Sequence, residues 1–203
     1  ASAPPLLLSK TPVPKVTAQA YLVADADNGA VYAQKDADTT RPIASLTKLM
    51  TALVADQASM LEDTVTISHG DLMTTDGPES ADTKPEKLVT LDLFYPLLME
   101  SNNHIADTLA NTYGTAAFVS RMNAEAKALA MASTTYVDPS GVSKDDVSTP
   151  KDLYRLAVYI ADQEPFIWNI TATPHKTVTA KNGSSYPLIN FNEFDGQSNF
   201  IGG

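Results

Sequence analysis

Between Pro42 and Val54 the apolar residues Leu46, Leu49, Met50, Leu53 and Val54 recur at steps of three and four, the stripe of a helix buried along one face. Upstream the period is two. Residues 21–25 and 30–34 flank Asp27-Asn28-Gly29, and an Asn-Gly turn between two such runs predicts a β-hairpin. Downstream, Thr64–Ser68 reads as a short strand, and the polar stretch 70–87, punctuated by Gly77, Pro78 and Pro85, reads as a long loop bordering a cleft.

A helical block follows. Thr90 is placed to cap a helix over residues 91–99, with Asp92 in its first turn, while Pro96 predicts that this helix bends or stops before Ser101. The helical pattern resumes over 103–111. Thr115 then caps a helix whose inner stripe is Phe118, Val119, Met122, Ala126 and Leu129. Asp138-Pro139-Ser140-Gly141 is a turn. Thr149, Pro150 and Asp152 carry the start signature of another helix, with Leu153, Leu156, Ala157 and Ile160 inward. A short helix holds Phe166, Ile167, Trp168 and Ile170. The period then returns to two over 176–180 and 185–189, around Asn182-Gly183, a second hairpin signal. Strands, a helical block and strands again predict an α+β fold whose terminal strands share one antiparallel sheet beside the helices. Pro4, Pro5, Pro12 and Pro14 make residues 1–15 an extended arm, leaving 16–203 as the folded unit.

Composition removes several classes of function. A net charge of −10 with no basic run excludes a nucleic-acid surface, which needs clustered Lys and Arg. The absence of cysteine excludes disulfides, thiolate catalysis and cysteine zinc sites. No apolar run reaches the roughly 18 residues that span a bilayer. The opening Ala1-Ser2-Ala3-Pro4-Pro5 has neither a basic n-region nor an apolar h-region, as a mature N-terminus has after signal removal.

Within this frame two short stretches carry chemistry. Ser45 lies in the first turn of the Pro42–Val54 helix, where unpaired N–H groups and the helix dipole favour negative charge on an oxygen. Lys48, one turn on, lies within reach of its hydroxyl. A serine hydroxyl needs a base to become a nucleophile, and a lysine serves once burial depresses its pKa. The second stretch is Ser101-Asn102-Asn103, in the connection between two helices. Any of the three would serve as an N-cap. Beside Ser45 and Lys48, a hydroxyl at Ser101 can relay a proton and an amide at Asn103 can orient a peptide. A second Ser-x-x-Lys, at Ser148 and Lys151, is accounted for as the start of the Thr149-capped helix. His69, His104 and His175 are dispersed and form no metal motif, and each reads as a surface or capping residue. Trp168, Tyr21, Tyr32 and Tyr186 read as core or sheet packing.

Ala44-Ser45-Leu46-Thr47-Lys48 and Ser101-Asn102-Asn103 resemble the first two motifs of the serine D-alanyl-D-alanine carboxypeptidases, the low-molecular-mass penicillin-binding proteins, in the wider group with the class A β-lactamases. Residues 136–142 and 147–153 are similar to connecting segments of the same family. The resemblance implies a transpeptidase-like α+β fold and an acyl-enzyme hydrolase that removes the terminal D-alanine from peptidoglycan stem peptides, with β-lactams as trapped pseudo-substrates. By the same analogy Ser45 is acylated, Lys48 accepts its proton, Ser101 shuttles protons and Asn103 holds the substrate backbone. It implies no cofactor, no metal and an extracytoplasmic location. The family's third motif, Lys-Thr-Gly, is absent from the sequence, and residues 195–203 resemble the segment that leads into it. The strand bearing that motif supplies an oxyanion-hole donor, whose loss costs about 10²–10³ in rate. The expectation is therefore an N-terminal portion of such an enzyme, with its own C-terminal segment as a further partner. The alternatives are an inactive fragment and a serine β-lactamase.

Overall fold

A helix apolar or small on nearly every side belongs in the interior, and residues 47–55, Lys48 excepted, form such a stretch. In the computed structural model, which describes residues 15–58, 61–76, 81–194 and 202, it lies in α1 (Thr47–Gln57). Before it come β1 (Tyr21–Ala24), β2 (Val31–Lys35), β3 (Arg41–Pro42) and one 3-10 turn (Ala44–Leu46). After it come β4 (Thr64–Ser68), α2 (His69–Met73), β5 (Pro85–Val89), α3 (Thr90–Met99), α4 (Asn103–Tyr113) and α5 (Thr115–Ala128). The described elements end with β6 (Val147–Ser148), α6 (Pro150–Gln163), α7 (Pro165–Thr171), β7 (His175–Thr179) and β8 (Ser185–Ile189). The predicted arm, up to residue 14, and the segment 195–201 lie outside the described residues.

The one-sided stripe predicted for α1 is too narrow. Met50, Leu53 and Val54 are buried as expected, but so are Thr47, Lys48, Thr51, Ala52 and Ala55 on the other sides, because α3, α4, α5 and α7 all pack on this helix. Ala52 and Ala55 keep those approaches close. Leu46, at the mouth of the helix, is 49% exposed.

The mixed α+β architecture is as expected, and both Asn-Gly hairpins form, β1 with β2 and β7 with β8. They do not share one sheet. The described strands make four separate antiparallel pairs, because β1 rests on α6 whereas β7 and β8 rest on α3. The expected loop 70–87 contains α2 and β5 instead, and β5 pairs with β4 from Thr64↔Val89 to Ser68↔Pro85. A carboxylate in an inward slot hid this strand: Glu86 is fully buried, matched by Lys84 Nζ at 3.0 Å and Asn182 Nδ2 at 2.6 Å.

Other differences are local. Thr90 is the first residue of α3 rather than its cap, its hydroxyl donating to Asp63 O. The helix continues through Pro96 and ends at Met99, before Ser101 as expected, whereas Gly114 rather than Thr115 precedes α5. Among the aromatic residues, Tyr32 is 40% exposed and bonds Asp25 through its hydroxyl rather than packing inward. His104, expected at a surface, lies in the buried face of α4.

Candidate active site

Two backbone segments of unusual conformation meet at the N-terminus of α1. Ala44 has φ +47° and passes the chain from β3 into the 3-10 turn that carries Ser45, so the serine stands exposed at the end of a buried helix. Opposite, the Asp138-Pro139-Ser140-Gly141 turn abuts it with Gly141 at φ +82°. A Cβ on Gly141 would lie 1.9 Å from Ala44 O, so only glycine permits this approach.

Lys48 points from α1 into the gap between these segments and is 2% exposed. Its Nζ makes three contacts: 2.6 Å to Asn103 Oδ1, 2.7 Å to Ser140 O and 3.1 Å to Ser45 Oγ. Burial lowers its pKa from the ordinary lysine value to about 8, against the charges of Asp138 and Asp107, which pull it upward. A neutral amine has two N–H groups and one lone pair. The two shorter contacts are to oxygens that only accept, so they take the two hydrogens and leave the lone pair facing the Ser45 hydroxyl. That is the arrangement in which a lysine accepts a serine proton.

The Ser101–Asn103 corner divides its labour by residue. Asn102 is the N-cap of α4: its Oδ1 accepts from Ile105 N–H at 3.1 Å, and its Nδ2 donates to Asp71 O at 3.1 Å. Both readings of this tripeptide are thus present at once, since the middle residue caps and the outer two face the cleft side. Ser101 adopts φ +57°, closing the end of α3, and Asn102 N–H completes that turn on Pro96 O at 3.1 Å. Ser45, Lys48 and Ser101 line one cleft of about 360 Å³ together with Leu49, Leu97, Leu98 and Thr171. Asn103 joins them through Lys48.

The second Ser-x-x-Lys stays out of the site. Ser148 is buried in β6, Thr149 Oγ1 accepts from Asp152 N–H at 3.1 Å, and Lys151 pairs with Asp38 at 2.7 Å.

Residues that sequence reading left without a role complete the constellation. Thr51 Oγ1 donates to Pro139 O at 2.6 Å, one turn below the Lys48–Ser140 contact. Asp138 holds the turn closed: Oδ1 accepts from Ser140 N–H, Ser140 Oγ and Gly141 N–H at 2.6–2.8 Å, and Oδ2 accepts from Ser143 N–H at 2.7 Å. Burial pushes its carboxyl up, but these donors hold it below the usual aspartate value. Asp146 behaves oppositely. Burial and the neighbouring Asp138 charge raise it to about 6. A carboxyl whose folded pKa lies above its unfolded value contributes stability below the unfolded pKa and loses it as pH rises through the folded one. Asp146→Asn is therefore expected to raise the melting temperature at pH 7–8, with the advantage shrinking as pH falls through about 6 towards the ordinary 3.8; a pH series of thermal melts on both proteins reads this directly.

The family profile that matches the chain, over residues 8–200, is that of D-alanyl-D-alanine carboxypeptidase. A D-alanyl-D-alanine endopeptidase of Pseudomonas aeruginosa is 39% identical over 160 residues, 77% of this chain and 51% of that protein. One from Escherichia coli is 32% identical over 183 residues, 88% of this chain and 59% of that protein. The chain thus spans little more than half the length of these curated relatives. Among solved structures, a D-alanyl-D-alanine carboxypeptidase from Mycobacterium tuberculosis superposes with TM-score 0.80 at 32% identity, covering 93% of this chain and 72% of that one. Penicillin-binding protein D2 from Listeria monocytogenes, in its ampicillin-bound form, gives TM-score 0.76 at 31% identity, covering 92% and 77%.

Proposed function

The chain belongs to the D-alanyl-D-alanine carboxypeptidase family, and from that premise we propose that it carries the nucleophile half of an acyl-serine peptidase acting on peptidoglycan stem peptides ending in D-Ala-D-Ala. The observation that carries this reading is the Lys48 amine, with two contacts to acceptor-only oxygens and a third to Ser45 Oγ. Neutral Lys48 takes the Ser45 proton as Oγ attacks the carbonyl of the D-Ala-D-Ala bond. The C–N bond breaks, the proton reaches the leaving D-alanine nitrogen by way of Ser101, and the remaining peptide is held as an ester on Ser45. Water then hydrolyses that ester. The Asn103 Oδ1 is engaged by Lys48, so its role toward substrate falls to the Nδ2 end, which donates to a peptide carbonyl.

β-Lactams react through the same opening step, and the Listeria relative was solved with ampicillin bound. Rapid release of the opened β-lactam needs a second base to activate water. Asp138 is poorly suited to that work because both its oxygens already accept from the loop, which favours a trapped ester over a β-lactamase. The relatives named endopeptidase favour a second reading for the peptide, with the cut inside a longer chain rather than at its end.

With the Lys-Thr-Gly strand present to complete the cleft, intact-mass analysis after incubation with a penicillin is expected to show a single adduct that is retained in Ser148→Ala and lost in Ser45→Ala. An adduct surviving in the Ser45 variant would overturn the assignment. Chromatography of products from a D-Ala-D-Ala pentapeptide and from a cross-linked dimer separates the terminal from the internal cut.

A further inference from the structure

We propose that Asp146 is a positioning residue for the Ser45–Lys48 pair, acting through its acceptor oxygen and the loop 137–143. Only the catalytic consequence rests on the acyl-serine reading. The side chain is fully buried in the segment just before β6. Its Oδ1 accepts from Val137 N–H at 2.6 Å and from Asp138 N–H at 3.3 Å, while its own carbonyl accepts from Ile43 N–H at 3.0 Å. Ile43 stands two residues before Ser45. Val137 and Asp138 begin the loop whose Pro139 and Ser140 carbonyls receive Thr51 and Lys48. One residue therefore ties the stub that carries the nucleophile to the loop that holds the base.

The β3–β6 pairing, Arg41↔Ser148 and Pro42↔Val147, and the Thr135↔Val147 bridge beside it all lie outside the loop 137–143. Charge is not the device. The carboxylates whose fields reach Lys48 are Asp138 and Asp107, not Asp146. The titratable groups that act on Asp146 or feel it are Asp138 and Tyr136. Its second oxygen, Oδ2, is buried without a hydrogen bond among the described residues, which opposes folding. The carboxylate is thus worse for stability than an amide would be, and the oxygen that matters for the site is the one an asparagine also has.

The test reads Lys48 itself. Lysine labelled with 13C at Cε is titrated by NMR in the 1–203 chain, in Asp146→Asn and in Asp146→Ala. Lys48 is expected to titrate near 8 in the parent and within about 0.3 of it in Asp146→Asn. In Asp146→Ala it is expected to move up by about one unit or more, as the loosened loop admits water to the amine. A residue that merely stabilises the fold would lower the melting temperature without moving Lys48, so an unmoved Lys48 in a folded Asp146→Ala overturns the proposal. If the alanine variant does not fold, the asparagine variant decides: retention of the parent titration supports the proposal, and displacement of Lys48 there overturns it. Acylation by a fluorescent penicillin is scored separately. Failure to acylate in a longer protein that also carries the Lys-Thr-Gly strand, with Lys48 titrating as expected, refutes the acyl-serine reading and leaves the positioning role standing.

Discussion

Lys48→Arg is expected to lower acylation of Ser45 by about 10²–10⁴-fold, the usual worth of a positioned general base. The substitution keeps the positive charge and loses the ability to give up a proton, because arginine stays charged at every working pH. A lysine acting only as a structural cation would tolerate it. The parent enzyme supplies the matching pH signature. With the folded pKa depressed to about 8, the neutral, proton-accepting form grows as pH rises, so acylation should climb through pH 7 and level off above about 8. Stopped-flow measurement of penicillin acylation across pH 6–10 checks both statements. A rate in Lys48→Arg within a few-fold of the parent, or a parent profile flat through pH 8, contradicts the base assignment.

Gly141→Ala is expected to cost nearly as much without touching any group that takes part in the chemistry. The added methyl meets a main-chain oxygen, Ala44 O, at 1.9 Å, and main-chain atoms move only with the segment that carries them. The segment in question bears Ser45. Displacing it from Lys48 by about 1 Å is enough to lose about 10²-fold in rate. The positive φ adds strain of order 1–3 kcal/mol, so the melting temperature should fall by several degrees as well. Gly183→Ala separates the two effects. Gly183 also has a positive φ, +90°, yet a methyl group there would meet nothing within 4 Å. That variant should lose stability through strain and keep its acylation rate. Equal acylation in both glycine variants would show that the close approach at Gly141 has no bearing on catalysis.

Local signals carried a large part of this molecule. Ser45 and Lys48 are three residues apart, in the 3-10 turn and the first turn of α1 that continues it, so their proximity follows from local helical geometry. Both hairpins announce themselves through Asn-Gly, and Thr149-Pro150 marks the start of α6. What escaped was whatever depends on distant backbone. The Lys48–Ser140 contact joins residues 92 apart in sequence through a carbonyl that every residue possesses. The strand β5 escaped because Glu86 breaks its alternation, a polar residue made tolerable by its near neighbour Lys84 together with Asn182 and His69 from elsewhere. A single shared sheet was expected because strands at both ends imply a common ladder, and the intervening helices α6 and α3 hold the two hairpins apart instead.

The cap at Asn102 reaches further than the helix it starts. Its amide also grips Asp71 O and Leu72 O, and the neighbouring Asn103 N–H donates to Thr75 O at 2.8 Å. Residues 71–75 and the 101–103 corner are consequently one mechanical part, hinged on nothing between them. None of residues 71–75 lines the cleft with Ser45, yet a push on that stretch is delivered to Ser101 and Asn103 together. Substitutions along it are expected to shift Ser101 and Asn103 together, and a slower Ser45 acylation in such variants is the measurement that checks this.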